Sequence, residues 1–133
     1  MKKNMSAQEI IAKRIENDRI IKSLPIREYR KNNRQVDKNF RLFRILENDL
    51  ELAKEVYKEL LLYDCVITKL NAAAECLSLK IHIEEAEQIL VELSHRSDIG
   101  VKSFEAQIGF ELWKEQGYLK MYPEQEIAQR EES

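Results

Sequence analysis

A chain of 133 residues with three glycines and two prolines has too few turn-formers for an all-β fold, and 44% hydrophobic content is too high for a disordered one. Charged residues make up 35% and the net charge is −2, which fits an all-α domain with a well-solvated surface. That small net charge conceals a division: residues 1–44 hold thirteen Lys/Arg against five Asp/Glu (+8), whereas residues 45–133 hold nine against nineteen (−10).

At the N-terminus, charge interrupts the apolar residues of MKKNMSAQEIIAKRIEN before a signal core can form, so no secretory leader is expected. Residues 1–5 read as a flexible tail. Ser6 and Glu9 have the spacing of a capping box, in which each side chain satisfies the other's backbone N–H. A first helix is therefore expected from there to about Ser23, with Ile10, Ile21 and Leu24 on one side. Pro25 ends it or opens the next helix.

From Pro25 there is no Gly or Pro until Gly100. Across this stretch Tyr29, Val36, Phe43, Leu50 and Tyr57 recur every seventh place. Leu46, Ala53, Leu60 and Ile67 form a second series, as in a heptad seam. The pattern predicts one long helix from near Pro25 or Val36 to near Thr68, the centre of a helical bundle. Its seam residues Tyr29, Val36, Phe43, Leu50 and Tyr57, with Trp113 and Tyr118 further on, form the expected protein interface, for a partner or a second copy.

Within that helix, residues 25–44 form a basic segment. Seven cations occur in the eighteen residues from Arg27 to Arg44, against Glu28 and Asp37 alone. At about 100° per residue, Arg27, Arg30, Lys31, Arg34, Lys38 and Arg41 fall within roughly 60° of one direction, with Arg44 drifting off the line. Tyr29, Val36, Phe40 and Phe43 gather on the other side, so the cations are expected outside and the aromatics in the core. Such a ridge suits the phosphates of DNA or RNA.

Residues 77–83 alternate like a strand but lie between helix-favouring stretches, which predicts a helix–turn–helix junction. A helix over about Ile83–Leu93 follows, then a loop over 94–103. The next helix is expected from Ser103 to about Gln116, with Phe104, Ile108 and Leu112 inward and Gly117 at its end. Residues 117–123, GYLKMYP, carry a second reading as a small β-wing near the C-terminus, and 124–133 read as a polar tail.

Cys65 and Cys76 lie eleven residues apart, about 16 Å along one helix, too far to bond. Free thiols suit a reducing compartment, so a cytoplasmic location is expected. Glu92 and His95 have the spacing of one di-iron half-site, but His82 lacks a matching glutamate, so no metal or cofactor is expected. No apolar run reaches membrane-spanning length, and no nucleophile motif is present.

The expected protein is a single all-α domain over 1–133 whose work is binding, not catalysis. It is read as an oligomer-forming regulatory or accessory protein that contacts nucleic acid or a nucleoprotein complex through its basic ridge. The alternative is a protein-only adaptor or inhibitor acting through its acidic C-terminal half and exposed aromatics such as Trp113 and Tyr118.

Overall fold

The computed structural model describes residues 5–25 and 27–125; of the expected tails over 1–5 and 124–133, residues 1–4 and 126–133 lie outside the described residues, whereas Met5 packs against the core and Gln125 is buried, so those ends are held by the bundle. Among the described residues there are six α-helices packed as a bundle and no strand. They are α1 (Ala7–Ser23), α2 (Tyr29–Glu47), α3 (Leu50–Leu60), α4 (Val66–Leu79), α5 (Ile83–Ser94) and α6 (Val101–Gln116), with a single 3₁₀ turn at Ser97–Ile99. Among them, no helix is long and apolar enough to cross a membrane.

The expected capping box is formed. Ser6 Oγ accepts from the Glu9 N–H at 3.2 Å, and Glu9 Oε1 accepts from the Ser6 N–H at 3.0 Å. Pro25 follows the C-cap residue Leu24 and cannot extend the helix.

The expected long helix is divided in two places. Asn48 closes α2, its side-chain amide donating to the Arg44 carbonyl at 2.8 Å. Asp49 then opens α3 by accepting from the Leu52 N–H at 3.2 Å. The second break, over 61–65, contains no Gly or Pro and is closed by backbone bonds from Tyr63 to Leu60 and from Cys65 to Tyr63. Leu46, Ala53 and Leu60 all stay buried on either side of the first break. The series Leu46, Ala53 and Leu60 thus records residues that face the core, because each short helix turns back onto it, rather than a continuous rod, whereas Tyr29, Val36 and Leu50 of the other series are exposed.

The junction between α4 and α5 lies where the alternating stretch predicts it. Lys80 and His82 both adopt left-handed backbone angles, φ 57° and 47°. The N–H groups of Lys80 and Ile81 bond back to the carbonyls of Leu77 and Cys76, which satisfies the end of α4, and Ile81 is tucked into the core.

Two expectations about the last third are corrected. α6 starts at Val101, and its outward face is the one assigned to the core: Phe104, Ile108 and Leu112 are 60%, 41% and 44% exposed. Ala106 and Trp113 point inward instead, and the Trp113 indole N–H donates to Glu87 on α5 at 2.6 Å. The wing is replaced by a strap of turns. Gln125 bonds the Met121 N–H and the Ser78 hydroxyl on α4, and Tyr122 donates to Glu47 at the end of α2, so the strap's polar groups are spent on the bundle rather than on a strand ladder.

The apolar core is crossed by a polar network. Arg14, only 2% exposed, makes two bonds of 2.8 Å to the Glu75 carboxylate on α4. Glu75 also accepts from the buried Tyr57 hydroxyl on α3. Asp18, one turn after Arg14, accepts from Thr68 at 2.7 Å and Asn39 at 3.0 Å, and Asn39 accepts from Asn17 at 2.9 Å. Three helices, α2, α3 and α4, are thereby keyed to α1 by hydrogen bonds that tolerate no slip in register.

Candidate nucleic-acid interface

The network also sets the rotation of α2. Because Asn39 must reach Asp18 and Asn17, the buried face of α2 is Gln35, Asn39, Leu42, Phe43 and Leu46. The aromatic line expected to be buried is therefore turned partly outward: Tyr29, Val36 and Phe40 are 61%, 47% and 37% exposed. Only Phe43 of that set is enclosed.

All seven predicted cations lie in the exposed class. Arg44 is anchored: Nε is 3.0 Å from Glu47, and its guanidinium stacks 4.9 Å over the Tyr122 ring. Lys31 sits 3.8 Å from Glu28, a long and solvated pair. Arg27, Arg30, Arg34, Lys38 and Arg41 have no carboxylate or hydrogen-bond partner among the described residues. Arg30, Arg34, Lys38 and Arg41 follow one side of α2 at helical spacing, a ridge of about 17 Å from first to last.

One cation was missed by sequence reasoning. Lys13 of α1 lines a shallow cleft of about 550 Å³ with Lys38, Arg41, Asn17 and Ile45, alongside Glu16, whose carboxylate is taken up by Arg19. Its signal in the sequence is its place one turn before Asn17, which the bond to Asn39 brings against α2. The positive surface thus spans two helices.

The seven expected interface residues divide. Tyr29, Val36 and Leu50 are exposed and Tyr118 is half-buried, whereas Phe43, Tyr57 and Trp113 belong to the chain's own core. Enclosure of Trp113 between α5 and α6 removes it as an exposed anchor for an adaptor.

The chemistry of the remaining polar groups is structural. Burial works to lower the Arg14 pKa, but Glu75, Tyr57 and Asp18 outweigh it and hold the guanidinium above its ordinary value. Burial, with the Glu75 charge, pushes the Tyr57 hydroxyl well up. Burial also pushes the Cys76 thiol up, the reverse of what thiolate nucleophilicity needs. His95 Nδ1 lies 2.8 Å from the Val91 carbonyl and His82 Nε2 lies 2.8 Å from the Lys54 carbonyl. Among the described residues, no three His, Cys, Asp or Glu side chains gather where a metal ion could sit. No protein-family model, curated protein or solved structure matches the chain.

Proposed function

We propose that this protein is a non-enzymatic regulatory or accessory protein that binds the phosphate backbone of DNA or RNA through the basic face of α2. One observation carries the reading: Arg30, Arg34, Lys38 and Arg41 of α2, with Arg27 just before it, stand in solvent and make no ion pair among the described residues. Lys31 and Lys13 extend that face. Contacts of this kind position a nucleic acid without reading its bases, so affinity with little sequence preference is expected.

The test is titration of a fluorescently labelled duplex or single strand at several salt concentrations. On a duplex, five phosphate contacts predict a slope of about −4.5 in log affinity against log salt, roughly a 500-fold loss between 50 and 200 mM. The variant Arg30→Glu/Arg34→Glu/Arg41→Glu should lose binding while its helical circular dichroism is unchanged. Affinity indifferent to salt, or retained by the triple variant, refutes the proposal. The adaptor alternative now rests on the outward apolar face of α6.

A further inference from the structure

Resting on the phosphate-binding reading, we infer that the bound nucleic acid is a single strand and that the cleft between α1 and α2 receives one of its unpaired bases. The cleft has two walls at helical spacing. Lys38, Arg41, Leu42 and Ile45 stand at i, i+3, i+4 and i+7 on α2, about 10 Å from first to last. Ala12, Lys13, Glu16 and Asn17 form the facing side of α1, and the 2.9 Å bond from Asn17 to Asn39 fixes the two helices against each other there. The volume of about 550 Å³ lies within the roughly 300–1,000 Å³ of small-molecule sites, so a planar base with its sugar has room.

The floor of the cleft is apolar and its rim is positive. Leu42 is buried, Met5 is half-buried, and Ala12 and Ile45 are exposed. Lys13, Lys38 and Arg41 make no ion pair among the described residues, and Glu16, the acid on the α1 wall, is held by Arg19 at 2.6 Å. An occupant must therefore bring anionic charge and an apolar face together. A nucleotide within a strand brings both. Its flanking phosphates meet the three cations, while the base covers the aliphatic side chains and offers its ring to the Arg41 guanidinium for stacking. Asn17, 8% exposed, spends its Nδ2 on Asn39, which leaves its Oδ1 as an acceptor for a base edge with no partner among the described residues.

Charge alone predicts the opposite preference. A duplex presents one charge per about 1.7 Å of its axis, against about 3.4 Å for each of its strands, so a purely electrostatic ridge binds duplex more tightly. A duplex also keeps its bases stacked and paired, and has none to insert without the cost of extruding one. A preference for single strand is therefore the mark of an occupied cleft.

Fluorescence anisotropy with the full chain at about 50 mM salt compares three labelled probes of about 15 nucleotides. They are oligothymidylate, the same strand paired with oligoadenylate, and an abasic strand that keeps the phosphates. Oligothymidylate should bind about tenfold more tightly than either of the others, within the range that base contacts contribute. Ala12→Phe fills the cleft without changing its charge. It should lower oligothymidylate affinity about tenfold and leave duplex affinity and circular dichroism unchanged. Duplex affinity equal to or above that of oligothymidylate, or an abasic strand bound as tightly, overturns the inference and leaves phosphate binding standing. So does undiminished affinity for oligothymidylate in Ala12→Phe. Binding to none of the three probes removes the phosphate reading and, with it, the base in the cleft.

Discussion

Arg14→Met keeps most of the side-chain stem while deleting the cation at the centre of the bundle. Arg14 makes both of its short bonds to Glu75, and its Nε lies 3.5 Å from Asp18. Asp18 is fully buried and the Glu75 carboxylate is 12% exposed, so neither regains water when the guanidinium leaves. Breaking a buried pair on one side costs about 3–5 kcal/mol, because an uncompensated charge remains behind. With an unfolding entropy of roughly 2.1 cal/mol/K per residue, that loss lowers Tm by about 11–18 °C for a chain of 133 residues. Urea unfolding followed by circular dichroism gives the free energy, and calorimetry gives the Tm. The companion variant Arg14→Met/Asp18→Asn/Tyr57→Phe/Glu75→Leu removes the buried charges together and keeps an amide at position 18 within reach of Thr68 and Asn39. It should recover to within about 2 kcal/mol of the native chain, since replacing a whole buried pair by apolar groups is often near neutral. A loss below about 1 kcal/mol for the single variant, or an equal loss for both, would falsify the account of the network as a coupled unit.

Two further outcomes follow from the backbone and the buried acids. Lys80→Gly should stabilise the fold by about 1 kcal/mol in urea unfolding, because φ 57° strains a residue with a Cβ; no gain would show that Lys80 sits there without strain. Stability should hold below the ordinary values of 9.0 for Cys76 and 10.0 for Tyr57 and decline above them, since the unfolded chain releases both protons while the fold retains them. A urea midpoint that stays level from pH 8 to pH 11 contradicts the sign.

The parts of the fold legible in the sequence were those written in local chemistry. Ser6 and Glu9 announced the start of α1, Pro25 its end, and the strand-like run before Ile83 the junction where Lys80 and His82 turn left-handed. The break at Asn48–Asp49 was also written locally, as an amide that closes one helix and a carboxylate that caps the next. It was masked because the apolar period runs through it unchanged. The second break, at 61–65, uses leucines and a tyrosine where glycine or proline would have signalled a turn.

Rotation about a helix axis was the least legible quantity. On α6 the sequence offers Phe104, Ile108 and Leu112 as the larger apolar set, and a hydrophobic stripe reads the same whether it meets a core or a partner. The side that packs inward is Ala106 and Trp113, chosen by the bond from Trp113 to Glu87. On α2 the inward side is decided by Asn39, a residue that composition assigns to the surface. Its partners Asp18 and Asn17 lie on another helix, so no spacing within α2 could have revealed them. Arg14 and Asp18 did leave a trace, the i, i+4 pair of opposite charge, but most such pairs lie in solvent.

The same two facts explain why a positive ridge can exist at all. Within α2, the pairs Arg30–Arg34, Arg34–Lys38, Lys31–Arg34, Lys38–Arg41 and Arg41–Arg44 place like charges three or four residues apart, each costing an isolated helix about 0.3 kcal/mol. α2 also lacks a side-chain cap and has no acidic residue in its first turn to favour its positive end. Its intrinsic balance is against helix formation. What holds it is the opposite face: Leu42, Phe43 and Leu46 in the core, and Asn39 pinned to Asp18 and Asn17. A buried carboxylate that itself needs Arg14, Asn39 and Thr68 fixes the rotation, and in that rotation Arg30, Arg34, Lys38 and Arg41 make no ion pair among the described residues. The self-repulsion left on the ridge is the term that a phosphate backbone would remove under the proposed function, and it joins the polar core to that proposal.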